Sequence, residues 1–361
     1  SEFSNAILPS GTTSVVADPH EICNVSGLDA MHYMLKSAEN AVLNINFMFP
    51  SCVPATFFEH SGAVLTAKEV ETVIDNPKVL GLGEMMNYPG VVAADDSILD
   101  KLDTCWKRGK IIDGHIPSIS GQGLDAYLST LISTDHECET PEELVEKTGK
   151  GMYVLLRQGT VCKNVEALVP GINENNWRRC LFCTDDRQPQ SILREGHLSY
   201  GVNLAIKAGL DPYRAIACAT INASDCYGLK ERGAIAPGRF ADFFLTERID
   251  EIKPISVFVS GEKVAENGKI LKRSPHVVPE KVEGAVRVKD LSLSLFSLPL
   301  TSDRARVIRI LPGGVVTAKD EAVVKRDERG EWVHEKDKDI LKITVIERHN
   351  NTGCHASALI S

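Results

Sequence analysis

Short apolar, β-branched runs recur along the first two thirds of the chain. Each ends in polar residues and is followed by a stretch with helical spacing. The apolar runs fall at residues 12–17, 42–48, 78–83, 110–113, 132–134, 152–156 and 180–184. The helical stretches fall at 27–35, 66–75, 97–108, 124–131, 141–148, 164–168, 198–208 and 212–226. Thr66 and Glu69 have the separation of a capping box, which predicts a helix start there. Seven strand–helix units in series predict a parallel sheet. Nearly equal units without a dinucleotide-binding glycine fingerprint favour a barrel over an open doubly wound sheet. An eightfold barrel needs one unit more. The expected fold class is therefore α/β, a TIM-type (β/α)8 barrel lacking its first strand.

After about residue 228 the rhythm changes. Strands are expected at 243–245, 254–259 and 263–265, around turn signals at Ser260-Gly261 and Asn267-Gly268. From about residue 274 the chain is mixed and more charged, with strands expected at 306–310 and 340–346. Residues 327–339 are mostly charged and read as a solvated hairpin or loop. The expected organisation is a barrel over 1–232, a small β domain over 233–273 and an incomplete C-terminal α+β domain over 274–361.

Composition narrows the function classes. A net charge of −9 disfavours a nucleic acid or an anionic membrane surface as partner. No run of eighteen apolar residues occurs, so no membrane span is expected. The ten cysteines are scattered through apolar segments, which reads as free, mostly buried thiols in a reducing compartment, hence the cytoplasm.

In a barrel the reactive groups sit where strands end, on the C-terminal face. The strand ends here deliver a one-sided set: Asp18, His20 and Glu21; Glu84; His115; Asp135, His136 and Glu137; Asp185 and Asp186. Imidazole and carboxylate groups converging on one mouth make a site suited to Zn, Fe or Mn. Each histidine alone is more often a polar loop residue, and Glu21 and Glu137 equally suit the N-terminal turn of a helix. Cys180-x-x-Cys183 has a metal or redox spacing but lies in a strand, where positions i and i+3 face apart, so it reads as core packing. Gly81-Leu-Gly83 reads as giving Glu84 room at the mouth. The Phe57-Phe58-Glu59-His60 stretch reads as a packed loop, with a pocket-lining role as the alternative, and His197 reads as a helix cap-region residue.

Several segments carry a resemblance. They are Gly11-Thr-Thr-Ser-Val-Val-Ala-Asp-Pro-His-Glu21, Ser51-Cys-Val-Pro-Ala-Thr56, Gly81-Leu-Gly-Glu-Met-Met-Asn87, Asp113-Gly-His-Ile-Pro117, Ser133-Thr-Asp-His-Glu-Cys138, Cys183-Thr-Asp-Asp-Arg187 and Gly233-Ala-Ile-Ala-Pro-Gly-Arg-Phe-Ala-Asp242. In order and spacing, over about residues 8–270, this set resembles the adenine deaminase branch of the amidohydrolase superfamily. The resemblance implies hydrolytic deamination of a free purine base, adenine to hypoxanthine and ammonia, with two divalent ions (Mn or Fe, with Zn left open) activating the water. It implies metal ligation by Glu84, His115, His136 and Asp185, with Glu84 bridging in place of a carboxylated lysine and Asp185 also shuttling the proton. Glu21, Glu137 or His20 would serve the ring nitrogen. The superfamily's His-x-His pair occurs nowhere in this sequence. The expectation is that the pair lies upstream, that the site within this stretch is incomplete, and that the stretch alone binds at most one metal tightly and turns over adenine poorly. Two alternatives stand beside this reading: another cyclic amidohydrolase of allantoinase or dihydroorotase type, against which Glu84 speaks, and a catalytically incomplete barrel acting as a binding module. Homodimer formation is left open.

Overall fold

The computed structural model describes residues 2–311 and 315–361. The chain forms two compact units, one holding the residues up to Glu59 together with Ala63–Val282, the other holding His60–Gly62 and Glu283–Ser361.

The first unit is built on seven short parallel strands: β1 (Ser14–Ala17), β2 (Asn44–Phe49), β3 (Val79–Met85), β4 (Ile111–Gly114), β5 (Thr134–Asp135), β6 (Tyr153–Arg157) and β7 (Cys180–Cys183). They pair in chain order as β1-β2-β3-β4 and β5-β6-β7, all parallel. The two runs meet where the Ser133 amide donates to the Ile112 carbonyl at 3.1 Å. Val16, Met48, Leu80, Ile111, Leu155 and Leu181, from six different strands, pack into one cluster with Cys226 and Tyr227. A flat sheet could not bring those side chains together, so the sheet is curled around them.

Helices follow the strands: α1 (Glu2–Ile7) and α2 (His20–Glu39) flank β1, then come α3 (Ala67–Val73), α4 (Tyr88–Val92), α5 (Asp96–Trp106), α6 (Gly121–Leu128), α7 (Pro141–Gly149), α8 (Val165–Leu168), α9 (Pro189–Glu195), α10 (Leu198–Lys207), α11 (Pro212–Ala219) and α12 (Ile221–Cys226). The Thr66/Glu69 capping box is present at α3, and a second one, Thr140/Glu143, opens α7. Two expectations need correction. The stretch 27–35 is only the second half of α2, which starts at His20 and kinks at Gly27 (φ 56, ψ −135). A Cβ at Gly27 would lie 2.9 Å from the Ala63 Cβ, so this left-handed glycine meets both a backbone and a space demand. The stretch 212–226 is two helices, broken at Thr220 (φ −130, ψ −87).

An antiparallel sheet of β8 (Phe243–Leu245), β9 (Ser256–Val259), β10 (Glu262–Glu266) and β11 (Lys269–Ile270) completes this unit. Its two tight turns put Ser260 and Gly261, then Asn267 and Gly268, at positive φ, as a primed hairpin turn requires. Val257 and Val264 share a core with Ile7, Leu8, Leu43 and Ile192.

The second unit pairs β12 (Arg304–Ile310), β13 (Thr317–Val323), β16 (Leu341–Ile346) and β17 (His355–Ile360) in the order β13-β12-β17-β16, beside a hairpin of β14 (Lys325–Arg326) and β15 (Trp332–Val333). Among its described residues there is no α-helix, which corrects the α+β expectation for the C-terminal part. The reason is visible in β12, where buried Ala305 and Val307 alternate with exposed arginines at period two.

His197 is a buried tie across the first unit. Its Nδ1 lies 3.0 Å from Thr12 Oγ1, ahead of β1, and its Nε2 lies 3.2 Å from Thr184 Oγ1, just past β7. It is the N-cap residue of α10, as the cap-region reading has it, although its side chain makes no cap bond there. Burial, helped by the nearby Arg187 charge, pushes it down to about 3, from an ordinary value of 6.5. The native state therefore holds it neutral. The unfolded chain takes up the proton first, so this contribution to stability is full above pH 6.5 and falls away as the pH drops toward 3. His197→Asn is expected to be less stable than the parent at pH 7, with the gap narrowing by about 2 kcal/mol at pH 5 in urea unfolding. A gap that stays constant with pH would show that His197 is not held neutral.

Candidate metal centre

Glu84 is the sixth residue of β3, within the strand rather than after it. Its backbone is pinned on both sides. Asp18 Oδ2 accepts the Glu84 amide at 3.0 Å, and Ser51 Oγ donates to the Glu84 carbonyl at 2.5 Å while the Ser51 carbonyl accepts from Lys101 Nζ at 2.7 Å. A Cβ at residue 83 would sit 2.0 Å from Asp18 Oδ2, so Gly83 makes room for Asp18. The room at this glycine thus serves Asp18, and not Glu84 as expected from the sequence.

His115 follows β4 and His136 follows β5. A buried ion pair braces the two. Lys147 Nζ of α7 donates to Asp135 Oδ2 and to the Ile116 carbonyl, both at 2.8 Å, and Asp135 Oδ1 accepts the Ile116 amide at 2.9 Å. The residue after His115 and the residue before His136 are thus locked to each other. Burial disfavours the Asp135 carboxylate, but the Lys147 charge outweighs it and holds the carboxyl below its usual range. Tyr127 Oη accepts the His115 amide at 3.0 Å and donates to the Met85 carbonyl at 3.1 Å. One layer deeper, Asp113 accepts from Thr134 Oγ1 at 2.8 Å and Tyr227 Oη at 3.2 Å, and burial pushes it up to about 7.

The side chains converge. Glu84 Oε2 is 2.9 Å from both His115 Nδ1 and His136 Nε2, and those ring nitrogens are 3.3 Å apart. On the other side, Glu84 Oε1 lies 3.3 Å from His20 Nδ1, itself 3.5 Å from Asp18 Oδ1. Glu137 Oε1 stands 3.3 Å from His136 Nε2 and 3.5 Å from His115 Nδ1. Donor atoms of His136, Glu137 and Asp185 form a third group, all within 4.8 Å of one another. Glu21 is at the edge: its side chain is 81% exposed, with Oε1 3.7 Å from His20 Nε2.

Glu84, His115, His136, Asp185, Glu137 and His20 are therefore brought together, and Glu21 borders them. The helix N-terminal alternative for Glu137 does not hold, because α7 begins only at Pro141 and the carboxylate is buried against Arg157. Sequence reasoning gave Asp18 no role beyond its place at a strand end, and it passed over Arg157, which closes β6 one residue beyond the expected strand. Cys180 and Cys183 join different apolar clusters, as their i, i+3 spacing in a strand implies. Phe57 and Phe58 are both exposed, packed edge to face on each other rather than into a loop core.

This set of groups attracts positive charge. Burial alone would favour neutral rings. The Glu84 hydrogen bond and charge, with Glu137 and Asp185 behind, nevertheless push His136 up to about 9. Against the same opposition, Asp18, Glu84 and Glu21 push His20 up to about 10. Burial likewise opposes the Glu84 carboxylate, yet His115 and His136 hold its carboxyl well below the usual range. The donors also fit a divalent cation. Ligand atoms about 2.1 Å from one ion lie about 3.0–3.4 Å from each other, and the Glu84–His115–His136 separations are 2.9–3.3 Å. Asp18 Oδ1 and His20 Nδ1 are buried without a hydrogen-bond partner, which leaves donor capacity on the second side.

Residues 1–264 match the amidohydrolase family. Over 359 residues the chain is 46% identical to adenine deaminase 2 of Desulfotalea psychrophila, covering 99% of this chain and 62% of that protein. Against adenine deaminase of Nitratidesulfovibrio vulgaris it is 44% identical over 352 residues, covering 98% of this chain and 61% of that one. The chain thus spans about three fifths of the length of these curated relatives. Among solved structures, the beta-aspartyl dipeptidase of Fervidobacterium islandicum AW-1 is similar with a TM-score of 0.53 at 17% identity, covering 74% of this chain and 77% of that chain, a likeness of fold alone. No helix among the described residues is long and apolar enough to cross a membrane.

Proposed function

This chain belongs to the amidohydrolase family, and we propose that it carries most of the active site of an adenine deaminase, which converts adenine and water to hypoxanthine and ammonia. The observation that carries the reading is the convergence of two imidazole nitrogens on one Glu84 oxygen at 2.9 Å. Two relatives that align with nearly the whole chain, named adenine deaminases, support the choice of substrate. The curled sheet is read as strands two to eight of a (β/α)8 barrel, whose C-terminal rim is where such sites form.

Glu84, His115 and His136 would hold one divalent ion, Asp185 would reach toward the same mouth, and Asp18, His20 and Glu84 offer a further set of donors. Manganese or iron is the assignment from the resemblance, and the imidazole–carboxylate set admits zinc. When bound, such ions make water a competent nucleophile near neutral pH. The chain's own groups do the rest. Glu84 presents one oxygen to each side of the site. His115 and His136, spaced by the Asp135–Lys147 brace, keep their ring nitrogens aimed at one point. Asp185 accepts the proton of the attacking water and returns it to the departing ammonia. His20 and Glu137 lie close enough to the cluster to meet the purine ring nitrogen, whereas Glu21 reaches into solvent.

The test is a substrate panel of adenine, other aminopurines, allantoin and dihydroorotate, run on the metal-analysed full-length protein. Ammonia and hypoxanthine should form from adenine in equal amounts, cease on chelation and return on adding Mn2+ or Fe2+. Metal-loaded protein that leaves adenine intact while opening a cyclic amide would replace the deaminase reading. Inertness toward every substrate would favour a binding module.

A further inference from the structure

Arg157 is a buried cation at the tip of β6, surrounded by the carboxylates of its neighbours. Its Nη2 donates to Glu137 Oε2 at 2.9 Å and its Nη1 to Glu137 Oε1, the two-pronged fit of a guanidinium on a carboxylate. The same Nη1 donates to Asp185 Oδ2 at 2.7 Å. One side chain therefore links the segments that follow β5 and β7 through the end of β6. Asp185 has φ 44, in the left-handed region that non-glycine residues seldom occupy, and its side chain is a third exposed. Its carboxylate lies within 4.8 Å of the His136 and Glu137 donor atoms, and the guanidinium fixes where it points. Glu137, held by the same group, presses against both imidazoles at 3.3 and 3.5 Å.

We infer that Arg157 is a positioning residue that holds the Asp185 and Glu137 carboxylates beside the imidazole pair and competes with a divalent cation for both of them. Its effect on turnover rests on the deaminase reading. Its effect on cation binding does not. The two effects have opposite signs. Without the guanidinium, Asp185 and Glu137 lose their permanent counter-charge, and the site attracts a divalent ion more strongly. At the same time Asp185 loses its alignment for proton transfer, so catalysis suffers. A residue that merely supported the fold would weaken both.

The experiment compares Arg157→Met and Arg157→Lys with the parent, using Mn2+ titration calorimetry and steady-state ammonia release from adenine. Arg157→Met should bind Mn2+ at least about tenfold more tightly. Its kcat should fall at least about 100-fold, with KM within about threefold. Arg157→Lys keeps the charge but not the fork, should lie between on both measures, and serves alone if the methionine variant does not fold. Weaker Mn2+ binding in the variant that folds overturns the inference, whatever the substrate, and so does unchanged kcat. A parent that binds Mn2+ but releases no ammonia from adenine defeats the deaminase reading instead, and the Mn2+ comparison still decides the role of Arg157.

Discussion

Glu84→Gln should lower kcat/KM for adenine by at least about 10³-fold, because electrostatic groups at a reacting centre contribute on that scale. Tightly held divalent metal should fall with it. The amide removes the one negative charge that faces His115, His136 and His20 together. It also turns an N–H donor toward at least one ring nitrogen, where an acceptor had been. The fold should survive, since the bonds that pin residue 84, from Asp18 and Ser51, go to its backbone. Elemental analysis and ammonia release on the same preparation check this. A variant that keeps both its metal and its rate would remove Glu84 from the centre.

Asp185→Asn should abolish deamination, with a loss of at least about 10³-fold in kcat if it is the group that moves the proton. Asparagine is the gentlest change at this position. It tolerates the left-handed backbone that Asp185 adopts at φ 44, and it can still accept a bond from Arg157. The melting temperature should therefore shift by only a few degrees, since substitutions that leave backbone and packing alone have small effects. Thermal unfolding alongside turnover separates the two. Wild-type kcat in a well-folded variant would assign the proton transfer elsewhere.

The architecture was legible where local signals repeat. Short apolar, β-branched runs, each ending in polar residues, gave the seven strands, because parallel strands covered on both faces read as continuous apolar runs, and the His, Asp and Glu residues near several of their ends gave the rim on which chemistry gathers. Turn residues did the same for the small antiparallel sheet, where Ser260-Gly261 and Asn267-Gly268 adopt positive φ. Long-range relations stayed hidden. Arg157 reads as an ordinary charge after an apolar run, and only the meeting of β5, β6 and β7 reveals its carboxylate partners. Glu137 suited a helix start by composition, yet tertiary pairing claimed it. Gly27 looked like the beginning of a helix because a left-handed glycine interrupts the helical pattern in the middle of α2. In the C-terminal unit the expected strands at 306–310 and 340–346 correspond to β12 and β16, whereas β13 and β17, which pair with them, lack an apolar run long enough to stand out in the sequence.

The brace from Lys147 to Asp135 and Ile116 has a consequence for redesign. It spaces the two imidazoles from behind, through α7, and draws nothing from the exposed aromatic loop at Phe57 and Phe58. Rebuilding that loop should leave the imidazole spacing intact. A change at Lys147, which is fully buried, would disturb both rings at once.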